Sequence, residues 1–226
     1  MNNINKEDSI QVPSPLERAR VRSSIAKIQY ITQDNPRLTH AQQAKLMYEN
    51  GISWVQLRMK NASKEQFIAE AEEALTYARK YKGILLINDH VDICKQVRAH
   101  GVHVGLKDMS VVEARAILGD DYIIGGTANT IEDIAWHVQN GADYIGLGPF
   151  RFTTTKKNLS PIIGLEGYKK LVSEMKNCDI HIPVVAVGGI TMDDIPHIQA
   201  TGLYGVAIST ALLNHLTKTL SKGEGG

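Results

Sequence analysis

Eight short apolar runs, separated by longer segments of helical period, are the feature that most constrains the fold of this chain. They read KIQYIT, WVQLR, ILLIN, VHV, YIIGG, YIGLG, PVVAVGG and YGVAIS, and their β-branched residues are typical of buried strands. Strands that alternate with helices pair in parallel, and eight such units most commonly close into a barrel. We therefore predict an α/β protein with a single-domain (β/α)8 TIM barrel, with an open, doubly wound sheet as the alternative.

The segments between the runs carry signals for helix starts and stops. A hydroxyl residue stands three positions before an acid or amide, the spacing of a capping box, at Thr39, Ser63, Ser110, Thr130 and Thr191. Left-handed helix stops are expected at glycines just before strands, namely Gly51, Gly83, Gly101, Gly141 and Gly202. The repeated unit predicts a barrel domain over residues 23–220, between a polar extension at 1–22 and a flexible tail at 221–226.

The balance of charge excludes some classes of partner. The 226 residues include 25 Lys and Arg against 24 Asp and Glu, a formal charge of +1, so no global field attracts nucleic acid or an anionic membrane. No apolar run approaches the roughly 18 residues of a membrane helix, and the first residues lack the order of a signal peptide. We expect a cytoplasmic protein with no nucleic-acid or membrane partner.

Cysteines and tryptophans are expected to be structural. Cys94 and Cys178 lie far apart and outside any CxxC motif, so we predict buried thiols rather than a disulfide or a zinc site. Trp54 and Trp136 fall within a predicted strand and a predicted helix, where we expect both to pack in the core.

Polar side chains gather where the predicted strands end, the edge at which barrel enzymes place their chemistry. Gln56, Arg58 and Lys60 alternate with apolar residues, so an extended chain turns all three to one face. Two cations and an amide suit a polyphosphate, although a solvated strand edge would show the same pattern. His103 ends the fourth run with inward parity, and it either touches a substrate or is a hydrogen-bonded interior histidine.

Two carboxylates follow neighbouring runs. Asp89 comes directly after Asn88 at the end of the third run, and Asp108 follows the fourth. Mg²⁺ takes one or two protein carboxylates and completes its shell with water and phosphate oxygens, but both residues could instead cap helices. Beside Arg58 and Lys60, a metal site is favoured, because a departing pyrophosphate requires cations.

A second anion site is predicted at the last two strand ends. Gly188 and Gly189 end the seventh run, and Ser209 and Thr210 end the eighth, where backbone N–H groups at helix starts commonly bind phosphate. Residues 150–164 form the longest segment without helical period, and its threonines and lysines either bind anions or form a solvated turn.

Six stretches, taken together and in order, resemble the thiamine phosphate synthase family over residues 27–215. They are QLRMK at 56–60, IND at 87–89, GVHVGLKD at 101–108, GGTANT at 125–130, GLGPF with TTTKK at 146–157, and VVAVGGI at 184–190. The resemblance implies a barrel transferase of thiamine biosynthesis that joins 4-amino-2-methyl-5-hydroxymethylpyrimidine pyrophosphate to a thiazole phosphate. It also implies Mg²⁺ as cofactor and a dissociative mechanism, in which pyrophosphate leaves before the thiazole nitrogen attacks.

The resemblance also implies a role for each matching residue. Gln56 and Arg58 would contact the pyrimidine substrate, and Thr127 would lie near the pyrimidine. The pyrophosphate would lie on Arg58, Lys60, Asn88 and Lys156, of which Arg58, Lys60 and Lys156 would be catalytic. Asp89 and Asp108 would hold Mg²⁺. The thiazole phosphate would lie on Thr153, Thr155, Gly188, Ser209 and Thr210.

The chain departs from the family pattern at several positions. Leu106 stands where the family usually has Gln, Thr127 where Ser is common, and Asn129 where His is common. Arg151 and Phe152 replace the usual aromatic-Pro pair before the threonines. None of these changes removes a metal ligand or a pyrophosphate cation.

Two other functions stay open. A thiazole aromatase of the sister branch would share the barrel and the phosphate site but would not bind Mg-pyrophosphate, which would leave Asp89, Asp108, Lys60 and Lys156 without a partner. A non-catalytic sensor would bind thiazole phosphate without turnover. Whether the thiazole is carboxylated and whether the protein is a homo-oligomer are left open.

Overall fold

The computed structural model describes residues 25–152 and 161–223, with side chains up to residue 219. Within these residues eight strands alternate with eight helices. The strands are β1 (Ile28–Ile31), β2 (Trp54–Leu57), β3 (Ile84–Asn88), β4 (Gly101–Val104), β5 (Ile123–Ala128), β6 (Tyr144–Leu147), β7 (Val184–Val187) and β8 (Gly205–Ile208). The helices are α1 (His40–Glu49), α2 (Lys64–Tyr81), α3 (Val91–Val97), α4 (Val111–Leu118), α5 (Ile131–Gln139), α6 (Gly164–Asn177), α7 (Asp194–Gln199) and α8 (Thr210–Gly223).

The strands form one closed, parallel barrel in chain order. Tyr30 of β1 pairs with Val55 of β2 on one side and with Ile208 of β8 on the other, which closes the barrel. The predicted (β/α)8 barrel is therefore confirmed, and the open sheet is excluded. Because all strands are parallel, every strand delivers its C-terminal end to the same rim.

The alternation of side chains along the strands divides the core into two parts. Outward residues such as Tyr30 and Val55 pack in a large cluster with the apolar faces of the helices. Inward residues near the strand starts form a smaller cluster that includes Trp54, Leu86 and Tyr144, all fully buried. The rings of Trp54 and Tyr144 meet edge to face, with centroids 4.8 Å apart. This interior layer fills the lower part of the barrel.

Four of the five predicted capping boxes are present, at Thr39, Ser63, Ser110 and Thr130. The prediction at Thr191 is wrong in detail, because α7 begins after Asp193, which makes no side-chain cap bond. Asp194 Oδ2 instead accepts from the Thr191 N–H at 2.8 Å and from its hydroxyl at 2.7 Å. The acidic residue therefore closes a turn ahead of the helix.

The predicted left-handed helix stops are correct at three glycines and wrong at two. Gly51, Gly141 and Gly202 have φ angles of 79°, 83° and 94°. Before β3 and β4 the left-handed residues are Lys82 and Arg98 instead. Gly83 and Gly101 are needed for close packing, since a Cβ on Gly101 would lie 2.0 Å from the carbonyl oxygen of Ile123.

The other sequence expectations have mixed outcomes. Trp54 is buried as predicted, but Trp136 is 44% exposed, because α5 turns Ile134 and His137 inward and leaves Trp136 on another face. Cys94 is a buried free thiol, whereas Cys178 is exposed at the end of α6.

No helix in the described part of the chain is long and apolar enough to cross a membrane.

The chain ends are only partly described. The extension predicted at 1–22 and residues 224–226 of the predicted tail lie outside the described residues.

We expect Gly101→Ala to destabilise the protein more than Gly51→Ala. The new methyl group at position 101 meets a carbonyl of β5 that cannot move without disturbing the strand ladder, at a cost of about 3 kcal/mol. A methyl group at position 51 meets nothing within 4 Å, so the left-handed backbone alone costs about 1 kcal/mol. Urea unfolding midpoints check this ranking, and equal shifts would contradict it.

Candidate active site

A cavity of about 270 Å³ opens at the rim where the strands end. The last inward-facing residues of β2, β3, β4 and β5 form part of its wall, and they are Gln56, Asn88, His103 and Thr127. The inward residues lower in the strands are mostly apolar. Along these strands, the inward-facing side chains therefore change from apolar near the strand start to polar at the strand end.

An amide pair and a guanidinium form one side of this mouth. Gln56 is buried and donates from Nε2 to Asn88 Oδ1 at 2.7 Å, which joins β2 to β3. Arg58 lines the same cavity, and its backbone N–H donates to Thr32 Oγ1 at 2.9 Å. His40 Nδ1 lies 2.7 Å from that hydroxyl oxygen. The loop after β1 thus anchors the backbone of Arg58.

Lys60 does not join this group. It is exposed in the loop after β2, and it is not among the residues that line the cavity. The predicted alternation stops early because β2 ends at Leu57. The structure therefore brings together Gln56 and Arg58 but not the third member of the predicted trio.

Asp89 and Asp108 meet at the ends of β3 and β4. Asp89 has a left-handed φ of 64°, which is uncommon for a residue other than glycine. Asn88 Nδ2 donates to Asp89 Oδ2 at 2.5 Å, and the Gly105 N–H donates to Asp108 Oδ2 at 3.0 Å. Burial, then the charge of Asp108 and a hydrogen bond with it, raise the pKa of Asp89 to about 7, although Arg58 opposes this shift.

The chemistry of this carboxylate pair suits a hard cation. Two carboxylates held together favour a cation or a shared proton between them, and Mg²⁺ needs only one or two protein carboxylates. In the ranges 25–152 and 161–219 no group of three or more His, Cys, Asp or Glu is placed to hold a metal. A metal bound by the pair would therefore depend on water and substrate oxygens for its remaining ligands.

The other side of the rim carries a cup of glycines and hydroxyls. Gly188 and Gly189 have φ angles of 100° and 67°, and they line the cavity with Ser209 and Thr210. The first N–H groups of α8 have no partner within the helix. Ser209 Oγ is buried and has no hydrogen-bond partner among the described residues. A phosphate bound here would satisfy that hydroxyl and the helix amides together.

Comparison with known proteins shows the family of this chain. A family model described as thiamine monophosphate synthase matches residues 28–212. The chain belongs to the thiamine monophosphate synthase family.

Individual relatives in the thiamine monophosphate synthase family cover most of the chain. It is 49% identical over 189 residues to a thiamine-phosphate synthase of Bacteroides thetaiotaomicron, which covers 84% of this chain and 90% of that protein. A thiamine-phosphate synthase of Phocaeicola vulgatus is 48% identical over 187 residues, with 83% and 90% covered. The solved thiamine phosphate pyrophosphorylase from Pyrococcus furiosus superposes with a TM-score of 0.72 at 31% identity, covering 83% of this chain and 87% of that one.

One departure from the pattern of the thiamine monophosphate synthase family has a structural role. Arg151 Nη1 donates to the Gly189 carbonyl at 3.1 Å, and the guanidinium pairs with both carboxylate oxygens of Asp194 at 2.7 and 2.8 Å. The side chain thus ties the loop after β6 to the glycine loop after β7. Sequence reasoning missed this clamp, because its partners are 43 residues apart.

His103 proves to be both an interior residue and part of the cavity wall. Its Nδ1 lies 2.9 Å from the Tyr144 hydroxyl, and its Nε2 lies 3.0 Å from Thr127 Oγ1. Gln29 Nε2 donates to the same tyrosine oxygen at 3.2 Å. Sequence reasoning missed Tyr144 and Gln29 because both lie inside apolar runs, although their inward parity was a usable signal.

Three predicted site residues fall between Phe152 and Pro161 in the sequence. Thr153, Thr155 and Lys156 lie outside the described residues, which stop at Phe152 and resume at Pro161.

We expect Ser209→Ala to maintain or raise the stability of the free protein and to weaken its response to phosphate. The change removes a buried hydroxyl that lacks a described partner, and such a group costs about 1 kcal/mol or more. The same change removes a donor from the cup of glycines and hydroxyls, which we call the phosphate cup because we expect phosphate to bind there. Melting temperatures with and without inorganic phosphate measure both effects.

Ser110→Ala is the matched control. Ser110 Oγ accepts from the Glu113 N–H and caps α4, so its loss should cost about 1 kcal/mol without altering the phosphate response. A clear loss of stability in phosphate-free Ser209→Ala would contradict the prediction.

Proposed function

We propose that this cavity joins an aminopyrimidine pyrophosphate to a thiazole phosphate, releasing pyrophosphate and forming thiamine monophosphate. Membership of the family over residues 28–212 gives the activity, that of a thiamine-phosphate synthase, a transferase. The observation that supports the proposed site is that Arg58, which follows β2, and Ser209, which follows β8, line the same cavity. Two substrates that carry a pyrophosphate and a phosphate require two anion sites.

Each side of the cavity suits one substrate. The amide of Gln56 offers a donor and an acceptor to a flat aminopyrimidine. Arg58 supplies a fixed charge for its pyrophosphate, and Asn88 supplies an amide. The hydroxyl and glycine cup suits the thiazole phosphate, and its members in this proposal are Gly188, Ser209 and Thr210. Roles for Lys60, Thr127, Thr153, Thr155 and Lys156 stay predictions from the resemblance.

The proposed reaction needs charge neutralisation and positioning more than proton transfer. The bond between the methylene carbon and the pyrophosphate oxygen breaks, and its electron pair leaves with pyrophosphate. The electron-rich aminopyrimidine stabilises the remaining cation, and the lone pair of the thiazole nitrogen then forms the new C–N bond. That nitrogen carries no proton to remove, so the chain contributes charge from Arg58 and the alignment of two bound reactants.

Asp89 and Asp108 are the residues proposed to hold Mg²⁺. When bound there, the ion would neutralise charge on the departing pyrophosphate. The support is the donor set itself, in which burial and a second carboxylate raise the pKa of Asp89 to about 7. Hydrogen bonds from the Asn88 side chain and the Gly105 backbone orient the two carboxylates.

The two alternative functions are less well supported. An aromatase of the sister branch would need the phosphate cup but would have no use for the carboxylate pair beside Arg58. A sensor of thiazole phosphate would likewise need the phosphate cup but not the carboxylate pair. The relatives named above are thiamine-phosphate synthases over more than four fifths of the chain, which favours the synthase. Action in the cytoplasm and a homo-oligomeric state stay predictions.

One incubation tests the proposed function directly. The purified full chain is mixed with both substrates, with Mg²⁺ or with EDTA, and the product is identified by mass. We expect thiamine monophosphate and pyrophosphate in equal amounts, formed only with Mg²⁺. Binding of thiazole phosphate without product would support a sensor, and conversion of a single substrate would support an aromatase.

We expect Asp89→Asn and Asp108→Asn each to lower turnover by about 10²-fold or more and to weaken its dependence on Mg²⁺ concentration, because each removes a charged ligand. Initial rates across a Mg²⁺ titration measure this. Asp89→Asn should remain folded, because asparagine tolerates the left-handed backbone at this position.

Asp92→Asn is the matched control for these variants. Asp92 is an exposed residue of α3 that pairs with Lys64 outside the cavity, so its variant should keep the turnover of the unchanged protein. Near-normal rates in both cavity variants would overturn the metal assignment.

A further inference from the structure

A chain of hydrogen bonds runs through the barrel interior to Thr127 at the cavity. We propose that Tyr144 and His103 are positioning residues that fix the direction of the Thr127 hydroxyl, so that its proton points into the cavity towards an acceptor atom of the pyrimidine pyrophosphate. This inference rests on the proposed function for the identity of the substrate. The direction of these hydrogen bonds follows from contacts within the protein alone.

The direction is set at the buried end by Gln29. Its Nε2 can only donate, so the Tyr144 oxygen, 3.2 Å away, accepts that bond. Burial raises the pKa of Tyr144, so the phenol retains its proton and can donate. The acceptor is His103 Nδ1, 2.9 Å from the tyrosine oxygen.

The tautomer of His103 determines the direction of the next hydrogen bond, the one between His103 and Thr127. A neutral imidazole that accepts at Nδ1 bears its proton on Nε2. Nε2 lies 3.0 Å from Thr127 Oγ1, so the threonine oxygen accepts from the ring. The hydroxyl proton of Thr127 must then find its acceptor elsewhere, and Thr127 lines the cavity.

The barrel makes room for this chain with two glycines. A Cβ on Gly125 would lie 2.2 Å from the Tyr144 ring, and a Cβ on Gly146 would lie 2.9 Å from the ring of His103. The backbone of Thr127 is also held, because His137 Nε2 lies 2.8 Å from its carbonyl oxygen. The chain is therefore built into the packing of β5 and β6.

The pyrimidine pyrophosphate is the substrate that this hydroxyl fits. His103 pairs in register with Asn88, which contacts Gln56 and Asp89 on the pyrophosphate side of the cavity. The phosphate cup lies on β7 and β8, whereas the bond that orients Thr127 comes from His103 on β4, the neighbour of β3. A donor held in one direction is useful where charge or a lone pair is fixed, because it needs no reorientation during the reaction.

Steady-state kinetics of single and double variants test the proposal. We expect Thr127→Val to lower kcat about 10²-fold and Tyr144→Phe to lower it about tenfold, each with little change in KM for thiazole phosphate. Because Tyr144 acts through Thr127, adding Tyr144→Phe to Thr127→Val should change kcat by less than about twofold. Losses that multiply in the double variant would overturn the proposal, as would full activity of Thr127→Val.

Conservative variants separate positioning from packing. His103→Gln keeps a donor near the position of Nε2 and should retain more activity than His103→Leu. Tyr30→Phe is the matched control, because Tyr30 is equally buried but its hydroxyl bonds to Gln43 among the helices, and it should keep normal kcat. Equal losses in the two His103 variants would contradict the proposed role.

Nitrogen-15 NMR of the imidazoles tests the direction without any substrate. The His103 signal, assigned by its loss in His103→Gln, should show a proton on Nε2 and none on Nδ1, and the tautomer should mix in Tyr144→Phe. A proton on Nδ1 in the unchanged protein would overturn the proposed direction of the hydrogen bonds even if thiamine monophosphate is formed. If the protein shows the expected tautomer but forms no product, the proposed direction of the hydrogen bonds is supported and only the proposed function is overturned.

Discussion

Closure of eight parallel strands is the constraint on which the rest of this structure depends. Each strand is only four to six residues long, and neighbours in the ring are held by main-chain hydrogen bonds rather than by particular side chains. Closure removes the sheet edges and gathers all eight strand ends at one rim. Residues as distant in sequence as Arg58 and Ser209 therefore line one cavity. Neither of the two proposed anion sites could be assembled by a local segment of the chain.

The cavity contains several groups that packing alone would not favour. Asp89 adopts a left-handed backbone and faces a second carboxylate. Ser209 buries a hydroxyl without a described partner. Each is unfavourable in the free protein. A cation between the carboxylates, or a phosphate at the Ser209 hydroxyl, would supply the missing interaction. Because such costs occur together in one cavity, they indicate where ligands bind.

The sequence was sufficient for the fold because its signals are local and repeated. β-branched runs and capping boxes predicted the strands and most helix starts, and eight units predicted closure. Local signals failed where a long-range contact decides the outcome. Gly101 was expected to end a helix, but its role is set by the carbonyl of Ile123 in the next strand. Strand parity predicted that Gln56, Arg58 and Lys60 would face one way. Gln56 and Arg58 line the cavity, whereas Lys60 lies in the exposed loop after β2, because where a strand ends depends on its neighbours. Tyr144 was hidden inside an apolar run, since its partners come from β1 and β4.

The ion pair between Arg151 and Asp194 makes two distant positions of the sequence depend on each other. The guanidinium holds the Gly189 carbonyl and Asp194 at once, so the shape of the glycine loop depends on a residue contributed by a different βα unit. A chimera in which the unit that carries Arg151 is replaced by one without this residue would leave Asp194 without its cation. Positions 151 and 194 should therefore be exchanged as a pair whenever barrels of this family are recombined.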